Sequence, residues 1–234
     1  MKLFLIPTTL ASETAQTVLS PQIKEVIAHT DYYLVENVRT ARRFISELKT
    51  GKVIDELTFE ILDKDSKPED IQKTLKNWQK SGKDIGIMSE AGCPGVADPG
   101  AVAVKIAHQL GIQVVPLVGP SSILLGLMAS GFSGQSFAFH GYLSIDKNSR
   151  AKQILQLEKE ASQKQQTQIF METPFRNNQF LEDLLTICAG STFLCIAANV
   201  TAADEFIQTK TIAEWRKVKP DLHKKPTMFL LSVS

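Results

Sequence analysis

A chain of 234 residues can bury one large core or two small ones, and 43% hydrophobic with 22% charged residues excludes a chain dominated by disorder. A formal net charge of +1 excludes the overall basic field that advertises a nucleic-acid binder, and leaves only a local patch open. Cys93, Cys188 and Cys195 include no CxxC pair and the four histidines are scattered, which supports neither a disulfide framework nor a zinc site; no metal is expected.

The first residues, MKLFLIPTTLASETAQTVL, hold one Lys and an apolar run broken at Pro7, too short and too polar for a signal peptide or membrane span. The expectation is a cytoplasmic protein with no membrane partner. Leu3 to Ile6 reads as a strand, Pro21 to Ala28 as a helix, Tyr32 to Val35 as a strand and Thr40 to Leu48 as a helix. Lys52 to Leu57 is a candidate further strand. Lys67 to Ser81 reads as a helix with Ser66 as N-cap, Glu69 completing a capping box, and Ile71, Leu75 and Trp78 on one face.

Asp84 to Gly100, DIGIMSEAGCPGVADPG, is the most informative stretch. Ile85, Ile87 and Met88 around Gly86 read as a strand buried in a parallel sheet; periodicity alone leaves a buried helix segment open, and the flanking turn residues favour the strand. The following loop, Ser89, Glu90, Ala91, Gly92, Cys93, Pro94 and Gly95, is built of small or rigid residues that let a ligand approach the main chain closely. Asp98 reads as the N-cap of the next helix with Pro99 at its first position. Ordinary strand-to-helix connections take about 2–6 residues, so this longer one reads as a binding loop at the carboxyl end of a strand.

Ala101 to Leu110 reads as a helix stopped by Gly111, and Ile112 to Val118 as a strand. Gly119 and Pro120 open a helix from Ser121 to Ser130. Such a helix start can hold a carboxylate, a phosphate or a ribose hydroxyl; the plainer reading is that Ser121 and Ser122 only cap it. Neither a GxGxxG fingerprint nor a P-loop occurs. Gln135 to Leu143 then reads as an aromatic strand, and Ser144 to Gln168 as mostly a charged helix. Strands follow at Gln168 to Glu172, Thr192 to Asn199, Glu205 to Thr209 and Thr227 to Ser232, with a helix over Asn178 to Cys188. This alternation predicts two α/β domains, 1–118 with a mostly parallel sheet and 119–234 with a mixed one.

IMSEAGCPGVADPG resembles the cofactor loop of the tetrapyrrole methylase superfamily, and LFLIPTTL, LVENVRTARRF, IQVVPLVGPSSILLGLMASG and IFMETPFR agree in order and spacing. Within that superfamily the chain is similar to the family of small-subunit ribosomal RNA methyltransferases that act on a ribose 2′-hydroxyl. The resemblance implies S-adenosylmethionine held in the cleft between two α/β domains, largely by main chain. On it, Pro7, Ser89, Glu90, Ala91, Cys93, Pro94, Ser121, Ser122, Phe170 and Met171 match cofactor positions. Pro226 and Thr227 match more loosely, and Asn199, at a strand end, is similarly placed.

Methyl transfer from a sulfonium is an in-line displacement that needs alignment, and an oxygen nucleophile also benefits from a base. Glu36 matches a family glutamate and is the candidate base or substrate positioner, with a solvated loop carboxylate as the plainer reading. Arg39 is the candidate partner of Glu36 or of a phosphate. Glu172 and Arg176 match family positions and read as cleft-lining or as an ion pair within the domain; His140 reads as structural.

Where the ribosomal enzymes carry a PTPIGNL-like turn this chain has PTTLASE, and ENVR replaces an EDTR-like tetrapeptide, with Asn37 in place of an acid. Their acidic, histidine-bearing loop corresponds to FEILDKDSK here. Apart from these departures, the resemblance implies small-subunit ribosomal RNA or the ribosomal subunit as partner and a homodimer as the assembly. A small-molecule methyltransferase of the tetrapyrrole type and a catalytically lapsed cofactor-binding module are the alternatives.

Overall fold

The computed structural model, which describes residues 1–233, divides after Ser121 into two units. In the first, β1 (Lys2–Leu5), β2 (Tyr32–Val35), β3 (Thr58–Ile61), β4 (Ile85–Met88) and β5 (Gln113–Pro116) form a wholly parallel sheet in the order β3-β2-β4-β1-β5. Successive side chains of a strand point to opposite faces, and both faces of this sheet are buried. Ile6, Tyr33, Val35 and Met88 enter one cluster with Ala15 of α1 (Ala15–Val18), Ile23 and Ile27 of α2 (Pro21–His29), and Ala41, Phe44 and Ile45 of α3 (Val38–Glu47). Leu3, Leu34, Ile85 and Ile87 enter the other with Ile71, Leu75 and Trp78 of α4 (Pro68–Lys80) and Ala103, Ile106 and Ala107 of α5 (Ala101–Gln109). Two-sided burial is why β4 reads in the sequence as an unbroken apolar run.

This order positions a crevice. The chain leaving β1 crosses to β2 on the face of α2, whereas the chain leaving β4 crosses to β5 through α5 on the opposite face. Because β1 and β4 are neighbours, their departing loops diverge outside the carboxyl ends of the two strands. That is the switch point at which open α/β sheets bind ligands.

The second unit holds α6 (Ser122–Ser130), β6 (Phe137–Tyr142), α7 (Lys147–Lys164), β7 (Thr167–Glu172), α8 (Asn177–Ile187), β8 (Phe193–Ala198), β9 (Phe206–Thr211), α9 (Ile212–Trp215) and β10 (Thr227–Ser232). Its sheet runs β6-β7-β10-β8-β9, with β6 and β7 parallel and the other pairs antiparallel, the mixed sheet that the sequence predicts. Phe170, Phe180 and Phe229 meet at centroid distances of 5.1 to 6.3 Å and centre the core on one face, with Ile154 and Leu157 of α7 and Leu184 of α8. A buried ion pair fixes α7 on α8: Arg150 Nε and Nη2 donate to Asp183 Oδ2 at 2.8 and 2.6 Å, and Nη1 donates to the Ser144 and Ile145 carbonyls. Four hydrogen bonds and the paired carboxylate compensate for taking that charge out of water.

Several local expectations are corrected. Lys52 to Leu57 forms no strand; it carries a single 3-10 turn at Ile54–Glu56, and the edge strand begins at Thr58. Ser66 does not cap α4, because its hydroxyl donates to Asp63 Oδ1 at 2.9 Å, and Lys67 occupies the N-cap without a side-chain bond. Asp98 is not the N-cap of α5 and Pro99 is not its first residue, since Gly100 takes the cap position and the helix starts at Ala101. The short helices α1 and α9 have too few residues to register as periodic.

Candidate active site at the carboxyl ends of the parallel strands

Pro7 leaves β1 as a buried residue against Gly119, where a Cβ would lie 2.2 Å from the Pro7 Cβ, so no larger residue fits. Thr8, also buried, faces the loop after β4. Its N–H donates to the Gly92 carbonyl at 2.9 Å and its hydroxyl to the Ser89 carbonyl at 3.3 Å. Gly92 holds φ +75, the left-handed region glycine adopts without strain, and this lets the loop double back onto Thr8. Cys93 Sγ lies 3.4 Å from the Pro120 carbonyl, which ties the same loop to the turn after β5. Three connections thus meet at the switch point.

The end of β2 makes a fourth. Glu36 Oε2 accepts the Glu90 N–H at 3.2 Å, and Glu90 Oε1 accepts the Thr40 hydroxyl at 3.3 Å. Asn37 caps α3, its Oδ1 accepting from the N–H of Arg39 at 2.9 Å and of Thr40 at 3.2 Å. Asn and Asp serve equally at an N-cap, so the loss of an acid here leaves the local fold intact. Arg39 is exposed and makes no ion pair with Glu36 among the described residues.

The acids of the site converge on Asp98, a residue whose sequence context, DPG before a helix, is that of a cap. Burial, then the charges of Glu36 and Glu90, push its pKa up to about 6, while the Ser89 hydroxyl holds it down in part. Burial together with the Asp98 charge also raises the Cys93 thiol above its ordinary range, which disfavours the thiolate. The signal that could have found Asp98 is its position in a loop at a strand end with two further acids nearby in the fold. That nearness is invisible without the sheet order.

Of the remaining expected site residues, Ser89 and Pro94 are buried while Glu90 and Ala91 are exposed at the loop tip. Ser121 and Ser122 are half-buried; α6 begins at Ser122. In the second unit Phe170 is wholly buried between Phe180 and Phe229 and offers no side-chain surface to a ligand, and Met171 is half-buried opposite Met228. Asn199, at φ +50, donates from its amide to Asp204 Oδ2 at 2.8 Å and from its N–H to the Pro226 carbonyl at 2.9 Å. Thr227 donates to the Lys225 carbonyl at 2.8 Å. Glu172 and Arg176 form an ion pair within the unit, 2.5 Å apart, and His140 Nε2 is 2.7 Å from Gln168 Oε1, a structural contact.

The sheet order and the loops gathered at the switch point define a two-domain α/β protein with a candidate ligand site at the carboxyl ends of its first sheet. The family described as Tetrapyrrole (Corrin/Porphyrin) Methylases matches residues 8–215. The ribosomal RNA small subunit methyltransferase I of Vibrio cholerae serotype O1 is 30% identical over 234 residues, 98% of this chain and 76% of that protein. The protein of the same name from Bacillus subtilis is 37% identical over 137 residues, 58% of this chain and 45% of that one. Among solved structures, the methyltransferase CobJ is similar with a TM-score of 0.66 at 16% identity, over 100% of this chain and 94% of that one. The uroporphyrin-III C-methyl transferase of Thermus thermophilus, complexed with S-adenyl homocysteine, has a TM-score of 0.57 at 12% identity, over 99% and 97% of the two chains. At such identities these two structures show the fold alone.

The chain belongs to the tetrapyrrole methylase family. It is a methyltransferase of two α/β domains, as its motifs lead one to expect.

Proposed function

We propose that the protein transfers the methyl group of S-adenosylmethionine to a ribose 2′-hydroxyl of small-subunit ribosomal RNA, in the cytoplasm and as a homodimer. The observation that carries the methyl transfer is the loop Ser89 to Pro94, fastened to Thr8 and Glu36 at the switch point in a chain of a methylase family. RNA as acceptor is supported by the likeness, over nearly the whole chain, to proteins named for small-subunit ribosomal RNA methylation. The dimer is supported by Leu124 and Met128 on α6 and Phe137 on β6, apolar side chains left in solvent. Among the described residues no helix is long and apolar enough to cross a membrane.

S-Adenosylmethionine supplies a methyl group on a positively charged sulfonium, which becomes a neutral thioether when the methyl leaves. The residues fit such a group: Glu36, Glu90 and Asp98 give the crevice a negative field that favours a cation, and Gly92 and Ala91 let main chain approach it closely. Ser89, Ala91, Cys93 and Pro94, with Pro7 and Ser121, hold the cofactor in this reading. Ser122, Met171, Asn199, Pro226 and Thr227, with the main chain of Phe170, are carried by the family likeness.

When the hydroxyl oxygen bonds to the methyl carbon, its proton must leave. Asp98, ionised at neutral pH yet more basic than an ordinary carboxylate, accepts it. Glu36, locked onto the Glu90 N–H, positions loop and acceptor. Arg39, exposed and unpaired among the described residues, meets a phosphate of the RNA. Mass spectrometry of ribosomal RNA from cells lacking the protein tests the acceptor: one 2′-O-methyl nucleotide of the small-subunit RNA is expected to disappear, and an unchanged set contradicts the proposal.

A further inference from the structure

Phe175, on the loop between β7 and α8, leaves 70% of its surface in solvent. It is not a stray apolar residue. The His223 ring meets it edge-on at a centroid distance of 6.2 Å, and Lys224 Nζ lies 6.0 Å from the ring centre. The strip that carries these partners is tied down along its length. Leu222 is buried and donates its N–H to Asn178 Oδ1 at 2.8 Å, while the Asn178 amide donates to Asp221 Oδ1 at 2.8 Å. Lys224, at φ +59, donates its N–H to the Pro174 carbonyl at 3.0 Å, and the Asn177 amide donates to the Lys225 carbonyl at 2.6 Å. The main chain that carries the ring's neighbours is therefore fixed by these bonds, which lowers the entropy cost of binding.

The cations around the ring outnumber the carboxylates. Among the described residues Lys224 and Lys225 make no ion pair. Of the nearby carboxylates, Glu172 pairs with Arg176, while Asp221 keeps its negative charge: the Asn178 amide and the His223 N–H, with the charges of Lys225 and His223, hold its carboxyl below the ordinary range, so it offsets part of the Lys225 charge. A flat aromatic face bordered by two lysines matches an unpaired nucleobase with flanking phosphates, because every base has a π-face and each phosphate a negative charge. A net charge of +1 over the chain conceals this local patch.

We propose that Phe175, with His223, Lys224 and Lys225, is a stacking platform for an unpaired base of single-stranded RNA, the two lysines taking its flanking phosphates. The inference rests on the ribosomal RNA reading above and gives it a recognition surface. Fluorescence anisotropy with a labelled twelve-residue oligoadenylate tests it, alongside cofactor affinity by calorimetry to show that each variant is folded. Phe175→Ala should weaken binding about tenfold or more, whereas Phe175→Trp should bind like the parent, its indole emission quenched by the RNA. Lys224→Glu with Lys225→Glu should reduce the slope of log affinity against log salt by about 1.4, at about 0.7 per lost phosphate contact on a single strand. Unchanged affinity in Phe175→Ala, with small ribosomal subunits still methylated, would overturn the platform and leave the ribosomal reading standing. A parent protein that neither binds the oligonucleotide nor methylates subunits would overturn both.

Discussion

The main-chain N–H of Glu90 donates to the Glu36 carboxylate across 3.2 Å, joining the tip of the loop after β4 to the end of β2. Glu36 therefore shapes the loop after β4, and in the proposed function it also positions the acceptor, so its variants should separate the two roles. Glu36→Gln keeps an oxygen acceptor for the Glu90 N–H, so turnover should fall on the order of tenfold or more with cofactor affinity nearly intact. Glu36→Ala removes the acceptor and should weaken the cofactor too. Steady-state rates with parallel calorimetry would show the split, and equal loss of affinity in both variants would contradict it.

Ala91 is exposed at the tip of the loop, so a large side chain there has room to exist without disturbing the core. Ala91→Trp should fill the cofactor site and abolish calorimetric binding of S-adenosylmethionine while the thermal transition stays in place. Unchanged affinity in a folded variant would remove the loop from the site.

Asp98 gives the site a pH signature. Its carboxyl titrates near 3.8 when unfolded and at about 6 in the folded protein, so between these values the folded state holds the extra proton. The stability it contributes is therefore full below about pH 4 and lost as pH rises through about 6. Asp98→Asn should melt higher than the parent at pH 8, with the advantage shrinking as the pH falls below 6. If Asp98 takes the acceptor's proton, the same variant should also lose the rising limb of the rate profile near pH 6. A constant difference in Tm from pH 5 to 8 would refute the shift.

Gly119 is a packing requirement. An added Cβ would sit 2.2 Å from the Pro7 Cβ, so Gly119→Ala should cost about 1–3 kcal/mol by urea unfolding. Pro7→Gly in the same chain should recover part of that loss, because the two residues share one contact.

The central strands were legible in the sequence because they are buried on both faces: Ile85, Ile87 and Met88 announce β4, and the Phe170 strand is as plain, whereas the largely exposed edge strand β3 carries no such run and was expected some residues too early. The binding loop was legible from its length and its small residues. Asp98 was not, since DPG before a helix is also a capping signature; the cap falls instead on Gly100, and only the fold brings Glu36 and Glu90 near the carboxylate. Ser66 misled for a similar reason, because its hydroxyl serves the Asp63 turn and not the helix. Phe175 lies inside the motif IFMETPFR, where nothing in the sequence marks an exposed ring; its setting beside His223 and Lys224 depends on a loop 48 residues away in the chain, where Lys225 docks on Asn177.

The most direct test of the account is methyl transfer itself. Purified protein, S-adenosylmethionine carrying a tritiated methyl group, and separated small and large ribosomal subunits should give label only in the small-subunit RNA, recovered after digestion as a 2′-O-methyl nucleoside. Label confined to a small-molecule extract, with neither subunit methylated, would contradict the RNA acceptor while keeping the methyltransferase. Label in neither would contradict the proposed reaction as a whole.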